Sequence, residues 1–160
     1  MTMTDMIIKN IEDVLTILDD VFDDPTEYWN SVYQERPDYM SFLNDHPDEN
    51  LVSYFDRNLI DSGKVLELGC GEGRNAIYMA KQGCAVEAID LSNKAIAKGQ
   101  GKSEEQGVTV DFSCKNVFEL ELQSDSYDIV YDSGLMHHLL PHRRFQYIDL
   151  IQQTLKPSDI

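Results

Sequence analysis

In the first part of the chain, apolar residues recur at spacings of three and four, which is the pattern of amphipathic helices. The longest such stripe predicts a helix over residues 5–22 that stops before Pro25. Shorter stripes predict helices over about 26–35 and over 49–59. The first of these contains Tyr28, Trp29 and Tyr33. An aromatic stripe is typical either of core packing or of a ligand wall, and the pattern leaves both open.

From Gly63 onward the pattern changes to short apolar runs that alternate with helical stripes. The predicted strands are 64–68, 85–90, 108–112 and 127–132. The predicted helices are 74–81, one from the N-cap Ser92 towards 106, and one that opens at Pro141 and carries Phe145, Ile148, Ile151 and Leu155. Gly99 and Gly101 weaken the second of these helices by about 1 kcal/mol each relative to alanine. Strands that alternate with helices predict an α/β fold with a parallel sheet.

Four strands are visible before the sequence ends in "LKPSDI". A parallel sheet that stops after a helix lacks the strand to which that helix should lead, so we expect the C-terminal strands to be missing. We divide the chain into an N-terminal helical extension, residues 1–48, and an α/β domain, residues 49–160. The outer edge of the fourth strand is then exposed, and this predicts pairing with a second copy as a homodimer.

The charge balance narrows the classes of ligand. Thirteen basic and 29 acidic residues give a formal net charge of −16 at pH 7. A chain this acidic is repelled by polyanions, so no nucleic-acid partner is expected and a small or cationic ligand is favoured. The acidic cluster Asp19, Asp20, Asp23 and Asp24 lacks the alternating ligands of a calcium loop, and we interpret it as a solvated helix end.

The cysteines and the apolar runs indicate the compartment. Cys70, Cys84 and Cys114 are few, odd in number and without metal-type spacing, which is typical of a reducing compartment. We find no apolar run long enough to span a bilayer and no leader at the N-terminus. A cytoplasmic protein without a membrane partner is therefore expected.

The stretch "VLELGCGEGRN" carries the most specific chemistry in the sequence. Its glycines follow a strand in the order G-x-G-x-G, whereas a dinucleotide loop needs G-x-G-x-x-G and here has Arg74 in the last place. Glu67 ends the strand close to where a pyrophosphate would lie, and a carboxylate there opposes a phosphate. A cationic ligand without phosphate, such as S-adenosylmethionine, suits the loop better. We interpret Glu72 as a solvated loop carboxylate.

This stretch resembles motif I of the class I S-adenosylmethionine-dependent methyltransferases. "VEAIDLS", "CKNVFEL", "YDIVYDSGLMHHL" and "LKP" follow in the family's order, so the resemblance covers roughly residues 49–157. "GCGEGRN" and "YWNSVYQERP" are similar to the small-molecule branch that includes tellurite-resistance and thiopurine-type enzymes. The resemblance implies a Rossmann-like methyltransferase fold with the visible strands in the order 3-2-1-4. It also implies a cofactor-binding role for 49–160 and a lid role for 1–48.

The resemblance also implies the cofactor-binding residues. Glu67 pairs with the methionine ammonium, the backbone of the glycine loop contacts methionine and ribose, Asp90 accepts from the ribose hydroxyls, and Trp29 and Tyr33 belong to an aromatic lid that attracts the sulfonium. The remaining contacts are assigned to Gly69, Cys70 and Gly71 in the loop, Leu91, Asn116 and Val117 around adenine, and Asp132 and Ser133 facing the methyl donor.

No catalytic residue is fixed by the sequence. His137 and His138 are candidates for a general base, and together with His142 we interpret them as site-wall or helix-capping residues rather than metal ligands. Cys70 suits a crowded turn and is not expected to be a nucleophile. The expected function is methyl transfer to a small-molecule acceptor. A non-catalytic S-adenosylmethionine-binding module remains an alternative, and an NAD-dependent oxidoreductase is a weaker one.

Overall fold

Four parallel strands form the centre of the fold. In the computed structural model, which describes residues 7–157, they lie in the order β3-β2-β1-β4. Their bounds are β1 (Lys64–Leu68), β2 (Ala85–Asp90), β3 (Asp111–Cys114) and β4 (Ile129–Tyr131). This order confirms the predicted α/β, Rossmann-like arrangement. The third strand begins three residues later than predicted, because residues 111–114 are the ones that pair with residues 87–90 of β2.

Seven helices surround this sheet within the described residues. They are α1 (Ile11–Asp19), α2 (Thr26–Glu35), α3 (Glu49–Asp56), α4 (Arg74–Lys81), α5 (Asn93–Glu105), α6 (Leu135–His138) and α7 (Arg144–Thr154). Short 3-10 turns lie at Ser41–Leu43, Val117–Glu119 and Pro141–Arg143.

The first helix starts later than its apolar stripe predicts. Asn10 and Asp13 form a capping box, in which the Asn10 side chain accepts from the Asp13 N–H and the Asp13 carboxylate accepts from the Asn10 N–H. This pair fixes the helix start at Ile11, and residues 5 and 6 of the prediction lie outside the described part. No residue of α1 is buried, so its apolar stripe is not part of the core.

The last helix is rotated relative to the predicted stripe. Phe145 was expected on the apolar face, but it is 84% exposed, whereas Tyr147 is fully buried. The Tyr147 hydroxyl donates to Asp132 at the end of β4 (2.6 Å), and this bond orients the helix. Pro141 opens a 3-10 turn, and α7 itself begins at Arg144.

Side chains of β1 alternate between the two faces of the sheet. Val65 packs with Leu51 of α3 and Met79 of α4, whereas Leu66 and Leu68 pack on the opposite face with the α7 side. Glu67 shares the face of Val65 and therefore lies beneath the start of α4. This alternation explains how a carboxylate comes to be buried near the end of an apolar strand.

The β4 edge carries little further pairing within residues 7–157. Beyond its ladder with β1, an isolated parallel bridge joins Tyr127 and Leu155. None of the helices in this part of the chain combines the length and apolar character needed to cross a membrane.

Candidate functional site

A cavity of about 1160 Å³ opens at the carboxyl ends of the strands. This is where parallel α/β sheets bind ligands. Most of the residues assigned from the sequence line it, namely Trp29, Tyr33, Glu67, Gly69, Cys70, Gly71, Asp90, Leu91, Asn116, Val117, Ser133 and His138. The structure therefore brings together residues that are spread over more than one hundred positions of the chain.

The glycine loop between β1 and α4 depends on the absence of side chains. Gly69 and Gly71 have φ angles of +72° and +56°, which favour glycine. A Cβ atom on Gly69 would lie 2.7 Å from Leu135 Cβ, and one on Gly71 would lie 2.6 Å from the Tyr33 hydroxyl oxygen. The loop is thus closely covered by α2 and α6, and its backbone is open to the cavity.

Glu67 is the most unusual group in the cavity wall. It is 1% exposed, and its Oε2 atom has no hydrogen-bond partner among the described residues. Burial raises the pKa of Glu67 to about 8, although Asn75 and the backbone N–H of Ala76 favour the charged form. A buried carboxylate oxygen without a partner is costly, and a cationic ligand group would complete its bonding.

Asp90 ties the second strand to the glycine loop. Its Oδ2 accepts from the Gly71 N–H and its Oδ1 accepts from the Ser92 N–H, both at 2.8 Å. Burial raises its pKa against the opposing effect of these N–H donors. Each oxygen retains a further lone pair, so Asp90 can accept from hydroxyl groups in the cavity while it holds the loop.

Cys70 and Asn116 are fixed by their surroundings. Burial, and then the charges of Glu67 and Asp90, raise the pKa of the Cys70 thiol, which leaves it protonated and unreactive. The Asn116 oxygen accepts from the Phe118 N–H (3.0 Å) and starts a 3-10 turn. Asn116 therefore combines a structural bond with a place in the cavity wall.

The side chains that follow β4 have different roles. The Asp132 carboxylate accepts from the N–H groups of Gly134, Leu135 and Met136, and also from Tyr147. It therefore caps α6, and it is absent from the cavity lining, so the geometry gives no support to the predicted cofactor contact of Asp132.

The two candidate bases are also separated by the structure. His138 lines the cavity, whereas His137 does not. The His138 ring meets the Trp29 ring edge-on, with 4.8 Å between the ring centres. No group of three His, Cys, Asp or Glu side chains in residues 7–157 is placed to hold a metal ion.

Glu72 is not the solvated carboxylate that was expected. Only 7% of its side chain is exposed, and it forms ion pairs with Arg36, with Lys98 (3.3 Å) and with Lys102 (2.5 Å). Burial opposes its ionisation, but hydrogen bonds from Lys102 and Arg36 outweigh burial and lower the pKa of Glu72. Because Arg36 follows α2 and both lysines belong to α5, Glu72 joins the N-terminal segment to the glycine loop.

The interpretation of the acidic cluster is also corrected in part. Asp19 accepts from Arg143 (Nη2, 2.5 Å) and lies 2.8 Å from His142 Nε2, and Arg143 also donates to Glu12 (2.9 Å). These bonds hold α1 against the turn that precedes α7. The hydrogen bond from Arg143, with burial as a weaker opposing effect, lowers the pKa of Asp19.

Sequence reasoning missed three participants in this site. Phe42 adds a ring to the aromatic wall, Arg143 fixes α1, and Arg36 pairs with Glu72. The partners are separated by 36 positions for Arg36–Glu72 and by 124 for Arg143–Asp19. No local pattern in the sequence carries a signal for contacts at such separations.

Three features of the cavity wall suit the binding of S-adenosylmethionine. The unpartnered oxygen of Glu67 suits an ammonium, the bare backbone at Gly69 and Gly71 allows close approach, and Asp90 suits ribose hydroxyls. Arg74, which follows the glycine loop at the start of α4 and also lines the cavity, donates to the His46 carbonyl oxygen (3.0 Å).

Comparisons with known proteins identify the family of the chain. Residues 65–158 match the family described as "Methyltransferase domain". An uncharacterized methyltransferase of Schizosaccharomyces pombe is 36% identical over 87 residues, which cover 52% of this chain and 60% of that protein. The chain spans about half the length of the curated relatives that it matches.

Solved structures show the same fold. A structure from work on the conversion of a disulfide bond into a thioacetal group during echinomycin biosynthesis has a TM-score of 0.75 at 26% identity, covering 84% of this chain and 57% of that one. The 1,6-didemethyltoxoflavin-N1-methyltransferase of Burkholderia thailandensis, solved with 1,6-didemethyltoxoflavin and S-adenosylhomocysteine, has a TM-score of 0.66 at 22% identity, covering 97% and 64%.

The family match covers more than half of the chain, and it confirms the class predicted from the sequence. The chain belongs to the methyltransferase-domain family and has the fold of the class I S-adenosylmethionine-dependent methyltransferases, whose cofactor is S-adenosylmethionine.

Proposed function

We propose that this member of the family transfers a methyl group from S-adenosylmethionine to a small-molecule acceptor. The observation that carries the proposal is the buried Oε2 atom of Glu67, which lacks a partner beside a bare glycine backbone. When bound, S-adenosylmethionine supplies a methyl carbon on a cationic sulfur, which an acceptor's lone pair attacks as the carbon–sulfur electron pair stays on sulfur. A donor that is already activated requires mainly alignment from the protein.

The chain's own residues would provide that alignment. Glu67 holds the ammonium, the backbone of Gly69, Cys70 and Gly71 contacts the methionine part, and Asp90 accepts from the ribose. Leu91, Asn116 and Val117 surround the adenine, and Ser133 stands at the β4 end of the cavity. His138 is the candidate base, because it lines the cavity and His137 does not.

The proposal also assigns roles to the two parts of the chain. We assign residues 49–160 to cofactor binding and residues 1–48 to a lid, whose Tyr33 lies against Gly71 of the glycine loop. The three free cysteines support a cytoplasmic location. The net charge of −16 disfavours a nucleic-acid partner. Within residues 7–157, the outer edge of β4 carries no further strand beyond the Tyr127–Leu155 bridge, which supports a homodimer of the 160-residue chain.

Calorimetry with S-adenosylmethionine, S-adenosylhomocysteine and NAD, followed by transfer of a radiolabelled methyl group to thiols, amines and hydroxyls, tests the proposal. We expect both sulfur ligands to bind and NAD to fail. Glu67→Gln should weaken binding of S-adenosylmethionine at least about tenfold, as expected for loss of a charged hydrogen bond. Tight binding of NAD alone would overturn the proposal, and saturable binding without any transfer would indicate the non-catalytic binding module.

A further inference from the structure

The cavity continues past the cofactor residues to a wall of aromatic rings. Trp29 is at its centre, with ring-centre distances of 4.8 Å to His138 and 6.3 Å to both Tyr33 and Phe42. His138 follows β4, whereas Asp90 ends β2, and β1 lies between those strands. Tyr33 connects this wall to the glycine loop, because a Cβ atom on Gly71 would lie 2.6 Å from its hydroxyl oxygen.

Carboxylates border this wall. Asp20, Asp23 and Asp24 line the cavity between α1 and α2. Asp24 is held in place one turn before Trp29, because its Oδ1 atom accepts from the Thr26 N–H (2.8 Å) and hydroxyl (2.6 Å). In the described part of the chain, Asp20 and Asp23 form no ion pair, so their charges face the cavity mouth uncompensated.

Arg143, which lines the cavity near α1, is already engaged by protein groups. Arg143 donates to Asp19 from Nε and Nη2, and to Glu12 and Gln146 from Nη1. Its charge is therefore matched by two carboxylates. Two further cations line the cavity within the described residues. Arg74, at the start of α4, donates to the His46 carbonyl oxygen (3.0 Å), and Lys115 follows β3.

The aromatic wall also contains one hydroxyl group, that of Tyr33. Tyr33 is 7% exposed and lines the cavity, and its hydroxyl forms no hydrogen bond with any described residue. Burial, followed by the charges of Asp90, Cys70 and Glu72, raises its pKa, so the hydroxyl keeps its proton. The hydroxyl oxygen also has lone pairs, which can accept a hydrogen bond from an ammonium N–H.

We propose that the methyl acceptor is an organic amine, which enters as an ammonium cation and binds against the Trp29 ring between Phe42, His138 and the carboxylates Asp20 and Asp23. Aromatic faces attract cations, and uncompensated carboxylates at a cavity mouth steer cations inward while repelling carboxylate or phosphate acceptors. The inference rests on the proposed function for the identity of the methyl donor.

The chemistry of the step assigns a role to His138. The ammonium nitrogen gives one proton to the His138 imidazole, which later passes it to water. The freed nitrogen lone pair then forms the bond to the methyl carbon, and the electron pair of the broken carbon–sulfur bond stays on sulfur. The products are the methylated ammonium cation, the neutral thioether and one proton.

Three test compounds of equal shape and different charge test this inference. Phenethylamine is a cation at pH 7, 2-phenylethanol is neutral, and 3-phenylpropionate is an anion. Each is titrated by calorimetry with and without saturating S-adenosylhomocysteine. Binding is also followed by tryptophan fluorescence, which reports on Trp29 alone because the chain has one tryptophan. We expect the amine to bind about tenfold tighter than the alcohol, and the anion to bind weakest.

A double variant and a control variant test whether the preference for the amine depends on the charges of Asp20 and Asp23. Asp20→Asn combined with Asp23→Asn should remove most of the preference for the amine over the alcohol and leave the affinity for S-adenosylhomocysteine unchanged. The matched control is Asp111→Asn, because Asp111 is an exposed carboxylate on β3 outside the cavity lining, and this change should leave the preference intact. Raising the salt concentration should narrow the amine–alcohol difference.

Equal binding of amine and alcohol, or tighter binding of the anion, would overturn the inference. The titration of S-adenosylhomocysteine in the same series reports on the proposed function separately. If S-adenosylhomocysteine fails to bind, the proposed function fails. The titrations of the three compounds without S-adenosylhomocysteine still show whether the aromatic wall prefers a cation.

Discussion

Glu67 is the residue in which folding and ligand binding oppose each other most directly. In the unfolded chain its carboxyl ionises near the ordinary value of 4.5, and in the folded protein burial raises its pKa to about 8. Between these values the folded state keeps a proton that the unfolded state has lost. The free energy of unfolding should therefore fall as the pH rises from about 4.5 to 8.

The Glu67→Gln variant provides the test of this linkage. Its free energy of unfolding should decline less between pH 5 and pH 8 than that of the natural protein, measured by urea titration at several pH values. Binding of S-adenosylmethionine near pH 7 should release about one proton from the natural protein and none from the variant, measured by calorimetry in buffers of different ionisation enthalpy. Identical pH slopes and identical proton release would contradict this account of Glu67.

Gly71 is constrained both by its backbone and by a neighbouring ring. Gly71→Ala introduces a side chain at a φ of +56°, with its Cβ 2.6 Å from the Tyr33 hydroxyl oxygen. Gly107→Ala is a matched control, since Gly107 has a φ of +68° but no atom within 4 Å of the added Cβ. Both variants should lose about 1–2 kcal/mol of stability from the backbone alone. Only Gly71→Ala should also weaken S-adenosylmethionine binding more than about tenfold, and equal affinities in a calorimetric titration would show that the Tyr33 contact is unimportant.

At the scale of elements, α5 shows why its two internal glycines differ. A Cβ on Gly99 would lie 2.9 Å from the Phe112 ring and 3.2 Å from the Glu72 carbonyl oxygen, whereas a Cβ on Gly101 would meet no atom within 4 Å. Gly101→Ala should therefore stabilise the protein by about 1 kcal/mol, the usual gain in a helix interior. Gly99→Ala should destabilise it, because overpacking outweighs that gain. Thermal unfolding of both variants checks the opposite signs, and equal signs would contradict the packing of α5 on β3.

Elements were predictable from sequence to the extent that local patterns determine them. The bounds of β1, β2, α2 and α4 agree with their apolar runs, and Ser92 caps α5 as expected. The predicted stripe of α7 was right in part, since Ile151 packs against the core while Phe145 is exposed. The bond from Tyr147 to Asp132 sets the rotation of the helix, and no periodicity encodes that bond.

The difference between local and distant contacts also explains why the sequence placed Glu67 correctly and Glu72 wrongly. Glu67 was placed in the cavity because its position at the end of an apolar strand determines which face it occupies. Glu72 was expected in solvent, since its partners Arg36, Lys98 and Lys102 come from other parts of the chain. Ion pairs between residues that are distant along the chain cannot be predicted from the local spacing of residues in the sequence.

At the scale of the whole molecule, the unpaired part of the β4 edge and the net charge act against each other. β4 has β1 on one side, and on the other side the described residues add an isolated bridge at Tyr127. A sheet edge with open backbone groups favours pairing with a second chain, while a net charge of −16 keeps two copies apart.

We therefore expect self-association of the 160-residue chain to depend on ionic strength. Salt shortens the Debye length from about 30 Å at 0.01 M to about 8 Å at 0.15 M, so repulsion between two acidic copies weakens as salt is added. Sedimentation velocity over a range of protein concentrations should show mainly monomer at the lowest salt and an increasing share of dimer or larger species at 0.15 M and above. Because pairing at the edge is made by backbone groups, salt should not weaken it. A monomer at every salt and protein concentration would show that the β4 edge is protected, and dissociation on adding salt would indicate an interface held by ion pairs instead.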